Sequence, residues 1–284
     1  MSYLVAVSLL WAFSFGLIKD RLAGLDATAV AALRLLFALL VFLPVFRPRR
    51  IPPRTAVTFA AIGAVQFGLM YVLYLAAFRY LQSFEIAMFT IFTPIYVILL
   101  DGALARRLPV NAILAVLLAV VGAAVLQWRS GVSPSGQIGF LLMQASNLCF
   151  AAGQVAYQRL RPTVTQTTDA GLFGWLYLGG LLATLLASLA TTEWADFRPD
   201  SSQWLTLLYL GIFASGLGFF GWNLGATKVT AGTLAVFNNL KIPLAVTVSL
   251  LVFGESTDPV RLILSSACLL AALFLAQRSS PERS

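Results

Sequence analysis

The sequence predicts an all-α integral membrane protein, with ten transmembrane helices arranged as two inverted five-helix repeats. Three observations carry that prediction. The 284 residues are 60% hydrophobic and only 11% charged, whereas a soluble domain carries about 25% charged residues. Apolar runs of about 20 residues, the length that crosses a bilayer, recur from one end of the chain to the other. Finally, residues 68–89 align without gaps on residues 216–237, an offset of 148. Five spans are thus followed by five more, and an odd number per repeat forces the copies into opposite orientations.

The elements follow in order. Span 3–19 opens on "MSYLVAVSLLWAFSFG", which lacks the basic n-region of a signal peptide and reads as a retained span. Span 28–46 carries Arg34 some seven residues in, near the outer surface, where a long cation can snorkel; structural duty is expected of it. "RPRRIPPR" punctuates the chain before span 56–79. There Phe67, Tyr71, Tyr74 and Phe78 recur at spacings of four, three and four, lining one helical face. Span 85–104 contains Pro94 and Tyr96, and span 109–127 completes a first unit, 1–130. After "SGVSPSG", span 136–158 carries Asn147 and Gln154, and span 168–191 carries Trp175. "TTEWADFRPDSSQ" is the one loop of any length before span 203–226, which holds Phe219, Trp222 and Asn223. Spans 231–253, with "FNNLKIPLAV" at its centre, and 259–277 complete a second unit, 135–278, and leave a tail at 279–284.

Loose basic residues set the orientation. With the N-terminus inside, eleven Lys and Arg fall on cytoplasmic segments and six on outer ones, so both termini are expected in the cytoplasm. Two cations remain inside spans, Arg34 and Lys241. Lys241 lies about ten residues into its span, where an ionisable residue is by default a functional hypothesis. Pro243 removes a backbone donor and clashes with the carbonyl of Asn239, which is expected to loosen the helix around "NNLK" and expose Lys241 to a zwitterion's carboxylate, and Asn238, Asn239 and the freed carbonyls to its ammonium, in a polar cavity. Its counterpart in the first repeat is Pro94, if the second copy carries one extra residue; the two prolines are candidate hinges. The competing reading is that Lys241 only satisfies the freed carbonyls.

The 148 offset also pairs Tyr71 with Phe219 and Tyr74 with Trp222. If the pseudo-two-fold runs through a binding site, these rings face one another across it, and their apolar bodies and polar tips suit an amphipathic solute. Interfacial belts or ordinary packing would use the same residues. Trp11, Tyr96 and Trp175 are further candidates without matched partners. Asn147, Gln154 and Asn223 are either site groups or hydrogen-bonding glue between helices.

Several functions are excluded. The acids all lie near span ends or in loops, and the chain has no histidine, so a midspan proton relay is missing. Two cysteines in apolar runs make metal sites and cofactors unexpected. No Walker A pattern is present, and the basic residues form no continuous face for nucleic acid. No catalytic group is assigned. A gradient-driven uniporter or exchanger, working as a monomer in the lipid bilayer on a small-molecule substrate, is expected.

"LLWAFSFGLIK", "AVAALRLLFALLVFLP" and "LYLAAFRYLQSFEIAMFTIFTPIYVILL" resemble the first half of an EamA-type member of the drug/metabolite transporter superfamily. "GWNLGATKVTAGTLAVFNNLKIPLAVTVSLLVFGE" is similar to the second half. The aromatic density and lack of buried acids look most like an amino-acid exporter of that superfamily. That resemblance implies a ten-helix inner-membrane exporter of amino acids, aromatic and other neutral ones; the alternative is an exchanger of sugar phosphates or nucleotide sugars. One departure stands out: Glu255 lies twelve residues after Pro243, but Arg106 lies twelve after Pro94.

Overall fold

The structure is a computed structural model. It describes the backbone of residues 2–106, 110–127, 134–228 and 231–277, with side chains except at 2, 3, 112, 127, 134, 231–240, 276 and 277. The expected tail at 279–284 lies outside the described residues, as do the side chains of Asn238 and Asn239. Ten helices follow in order: α1 Ser2–Arg21, α2 Ala27–Phe42, α3 Pro53–Ala77, α4 Ser83–Leu104, α5 Val110–Gln127, α6 Pro134–Leu160, α7 Asp169–Thr191, α8 Ser201–Ala226, α9 Ala231–Leu251 and α10 Pro259–Gln277. Segments over α2, α3, α4, α6, α7 and α8 are long and apolar enough to cross a bilayer, with mean hydropathy between 1.3 and 2.3. The described residues contain no strand. Leucine, valine and phenylalanine stand exposed along the outside of most helices, the surface a lipid-facing bundle presents.

The packing repeats across the two halves. Helix α1 packs on α8 and α9, while its counterpart α6 packs on α3 and α4. Helix α2 packs on α7 and α8, and α7 on α2 and α3; α5 pairs with α10. Exchanging the halves converts each of these contacts into another, as a two-fold repeat requires.

Both third helices of the repeats carry a π-helical stretch, Ala64–Leu69 in α3 and Leu210–Leu217 in α8. A π turn widens the helix and loosens its bonding, and such turns gather at functional sites. In α8 the loosened carbonyls find partners from other helices. The Trp11 indole donates to the carbonyl of Ala214 at 2.8 Å. The Tyr177 hydroxyl lies 2.9 Å from the carbonyl of Ser215 and 2.6 Å from that of Gly216.

The matched prolines behave differently. Helix α4 is broken at Thr90 and Ile91, just before Pro94. The break is held from within, where Thr90 Oγ1 donates to the Ala87 carbonyl at 2.7 Å, and from α6, where Asn147 Nδ2 donates to the Phe89 carbonyl at 2.8 Å. Helix α9, by contrast, runs unbroken from Ala231 to Leu251 with Pro243 inside it. The loosening expected around "NNLK" is therefore corrected. A proline deletes a single helical bond, and packed neighbours in a membrane bundle allow the helix to continue.

Glu255 explains the departure noted in the sequence. Its carboxylate accepts the backbone N–H groups of Ser83 at 2.9 Å and Phe84 at 3.1 Å. It thus caps the start of α4 from the opposite half, beside Glu85, which accepts from the N–H of Gln82 at 2.8 Å. Arg106 ends the helix it follows at φ 55°. Replacing a cap costs about 0.5–2 kcal/mol. Glu255→Ala is therefore expected to lower the melting temperature of the purified protein while leaving it inserted; an unchanged melting curve would contradict the cap.

At the start of α2, Asp26 Oδ1 accepts from the Thr28 and Ala29 N–H groups and from the Thr28 and Thr192 hydroxyls, joining α2 to the end of α7. Burial pushes this carboxyl up, but the hydrogen bonds outweigh burial and hold it below its usual range. A carboxyl lowered by folding contributes stability that is present above its unfolded pKa and lost as pH falls through its folded value.

Candidate functional site

The face Phe67–Tyr71–Tyr74 of α3 meets the face Phe219–Trp222 of α8 in the core, with Trp11 of α1 and Phe150 of α6 closing the set. Tyr71 and Phe219, the outer matched pair, touch directly at 5.6 Å between ring centroids. Phe67 stacks on Phe219 at 4.8 Å, and Trp11 lies 5.4 Å from Phe219 and 5.2 Å from Trp222. Tyr74 joins the set through Tyr71 at 6.1 Å. Tyr74 and Trp222 are thus linked through Tyr71, Phe219 and Trp11. Trp222 is 1% exposed, and its indole donates to Gln154 Oε1 at 3.2 Å. Asn223 Oδ1 accepts from Gln66 Nε2 at 3.2 Å, and its Nδ2 donates to the Phe219 carbonyl at 3.0 Å.

The structure does not bring the other candidates into this set. Asn147 ties α6 to the broken part of α4, accepting from Thr93 Oγ1 at 3.2 Å as well as donating to Phe89. Tyr96 donates to Gln144 Oε1 at 3.1 Å in the α4–α6 seam. Trp175 packs edge-on to Phe46, beyond the end of α2, with centroids 5.1 Å apart.

Both span cations lie in the core. Lys241 is 7% exposed, and its ammonium sits 5.0 Å from the Trp11 ring centroid and 5.8 Å from that of Trp222. A cation over desolvated indoles gains about 2 kcal/mol. Arg34 corrects the expectation that it snorkels, because it is 3% exposed. Its guanidinium lies over the Tyr71 ring at 4.3 Å, Nη2 donates to Tyr71 Oη at 2.8 Å, and Nε donates to Ser215 Oγ at 3.2 Å. Helix α2 starts from the Asp26 cap and has 16 residues, which places Arg34 at its middle rather than its outer end. Counting from that cap is the signal that locates it. Ser215, 148 residues after Phe67, carries no further signal in the sequence, because its contact with Arg34 depends on the π turn.

A cavity of about 440 Å³ opens where the α1–α2 turn meets the end of α3, lined in part by Lys19, Asp26, Val30, Leu75 and Phe78. Val30 is one turn before Arg34 on α2. Leu75 and Phe78 are one turn after Tyr71 and Tyr74 on α3. Arg34, Tyr71 and Tyr74 therefore lie about one helical turn from residues that line the cavity. Among the described residues, the buried charged side chains are Arg34 and Lys241. Arg34 Nη1 is buried without a hydrogen-bond partner, and a buried charge is costly unless paired, so this core suits a solute with an apolar body and a negative end.

The EamA-like transporter family model matches residues 1–128 and again 137–277. The chain is 41% identical over 277 residues to the "Probable biotin transporter" of Pseudomonas aeruginosa, covering 97% of this chain and 96% of that protein. It is 36% identical over 286 residues to the "Biotin transporter" of Salmonella typhimurium, covering 100% and 95%. The "Biotin transporter" of Escherichia coli is 35% identical over 286 residues, with the same coverage. A solved crystal structure shares the fold at a TM-score of 0.68 with 18% identity, covering 97% of this chain and 96% of its own.

Proposed function

The chain belongs to the EamA-like transporter family, and from that premise we propose that it carries biotin, or a close carboxylated relative, by alternating access. It is a multi-pass membrane transporter and not an enzyme. The observation that carries the biotin reading is the core itself: Trp11, Tyr71, Phe219 and Trp222 in one cluster, with two buried cations and no buried acid among the described side chains. Biotin joins an apolar thioether ring and alkyl chain to a carboxylate and to a neutral urea, whose carbonyl accepts and whose N–H groups donate; it carries no cation. An amino acid brings an ammonium, for which this core offers two like charges. The names of the full-length relatives support biotin over the amino acids that the sequence suggested. Location in the inner (cytoplasmic) membrane with both termini inside, and action as a monomer, complete the proposal.

Proteoliposomes loaded with the purified chain test it. Labelled biotin is expected to equilibrate saturably, with unlabelled biotin competing and phenylalanine or leucine leaving the rate unchanged. Saturable flux of amino acids without biotin flux would overturn the reading. The same vesicles test the energetics. With no buried carboxylate among the described side chains to pass protons, an imposed proton gradient is expected to leave the initial rate of biotin flux unchanged. Accumulation collapsed by a protonophore would show that a relay had been overlooked.

A further inference from the structure

We propose that Arg34, oriented by Tyr71 and Ser215, is the seat of the solute's carboxylate. The inference rests on the transporter reading and deepens it, and it does not require that the solute be biotin.

The proton arrangement around Ser215 is fixed by its neighbours. Ser215 Oγ lies 2.7 Å from the Leu210 carbonyl, which can only accept, so the serine donates there. That carbonyl is five residues back, a reach the π turn provides. The serine then accepts from Tyr71 Oη at 2.8 Å and from Arg34 Nε at 3.2 Å. Tyr71, having donated to the serine, accepts from Arg34 Nη2 at 2.8 Å. Every hydrogen of the two hydroxyls is committed, and each orients the guanidinium. Neither hydroxyl can neutralise it.

The guanidinium keeps donors to spare. Its Nη1 is buried and has no hydrogen-bond partner. Burying a charged donor without a partner costs more than leaving a neutral one so, and the core holds no carboxylate among the described side chains to take it. Three helices nevertheless converge on holding this group in one pose: α2 supplies it, α3 supplies the ring and hydroxyl beneath it, and α8 supplies the serine. A planar fork fixed on one edge and open on the other matches a carboxylate, which such forks bind through paired N–H donors. The position also suits entry, since Arg34 lies one turn from Val30 at the edge of the 440 Å³ cavity.

The test compares an acid with its neutral amide. In proteoliposomes, biotin is expected to inhibit labelled-biotin flux at least about tenfold better than biotinamide, the scale of one charge-assisted hydrogen bond. Arg34→Gln is expected to bring that ratio close to one. Tyr71→Phe, which removes one hydroxyl and keeps the ring, is expected to compress it in the same direction, and it decides the matter if Arg34→Gln does not fold. A variant that loses flux while keeping the full acid-over-amide ratio would overturn the proposal. If the wild-type chain moves no biotin, thermal stabilisation by 5-phenylpentanoate against 5-phenylpentanamide separates the two readings. Acid-selective stabilisation lost in Tyr71→Phe keeps the carboxylate seat while the biotin reading falls. Equal response to acid and amide in the wild type sinks the seat, whether or not biotin is carried.

Discussion

Gly179→Ala should prevent the protein from accumulating as a folded species. A Cβ at position 179 would stand 1.8 Å from the carbonyl oxygen of Ala60 and 2.5 Å from its carbon, and both are helix backbone. The contact is reciprocal, because a Cβ on Gly63 would stand 1.9 Å from the carbonyl oxygen of Leu176. Helices α3 and α7 therefore touch backbone to backbone, the arrangement that small residues permit in membrane bundles. Overpacking that side chains can absorb costs about 1–3 kcal/mol. Here no side chain can yield, so the helices must separate, and the π turn that begins at Ala64 would move with them. The cost is expected to exceed that range. Gly24→Ala is the control: its φ of +86° makes alanine strained by about 1–2 kcal/mol, but open space surrounds the site. Fluorescent fusions run on a sizing column should show a monodisperse peak for Gly24→Ala and aggregate or nothing for Gly179→Ala. A sharp peak and native melting temperature for Gly179→Ala would mean that α3 and α7 do not pack this closely.

That seam shows what a sequence discloses and what it hides. The ten helices were legible because each is a long apolar run bounded by Pro, Gly or basic residues, and composition alone sets that signal. The repeat was legible because aromatic residues recur at a fixed offset, and the rings of Tyr71 and Phe219, matched by that offset, touch in the core. The backbone contact of Gly63 and Gly179 was not, since glycine in a membrane helix has many uses and its partner is a distant segment. Arg34 was misplaced for a related reason. Its depth was judged from the apolar run, which began one residue later than the helix and ended four residues past it. Its partners, Tyr71 and Ser215, lie 37 and 181 residues away, and the serine is brought to it by a π turn that no residue pattern announces. Pro243 erred the other way: a local rule suggested a break, and tertiary packing kept α9 whole.

Lys241→Met should lower biotin transport about tenfold or more while the protein stays folded. Methionine keeps an unbranched stem in the helix and removes the ammonium. That charge sits 5.0 and 5.8 Å from the ring centroids of Trp11 and Trp222, and Phe219 touches both Trp11 and Tyr71, the ring beneath Arg34. With the carboxylate seated at Arg34, the biotin bicycle is expected to fall among the indoles, with its urea oxygen as the acceptor for the ammonium. A hydrogen bond from a charged donor contributes about 1.5–3 kcal/mol, which sets the tenfold scale. The loss should be the same for biotin and biotinamide, because both carry the urea. The sequence alone suggested instead that Lys241 meets the carboxylate, and that arrangement has a different signature: the loss would fall on biotin and spare the amide. Exchanging a buried ionic group for an apolar one of similar volume is often neutral for stability, so the melting temperature should hold. A marked drop in melting temperature would identify the ammonium as structural support for the bundle. A well-folded Lys241→Met protein with native biotin flux would remove Lys241 from the site altogether.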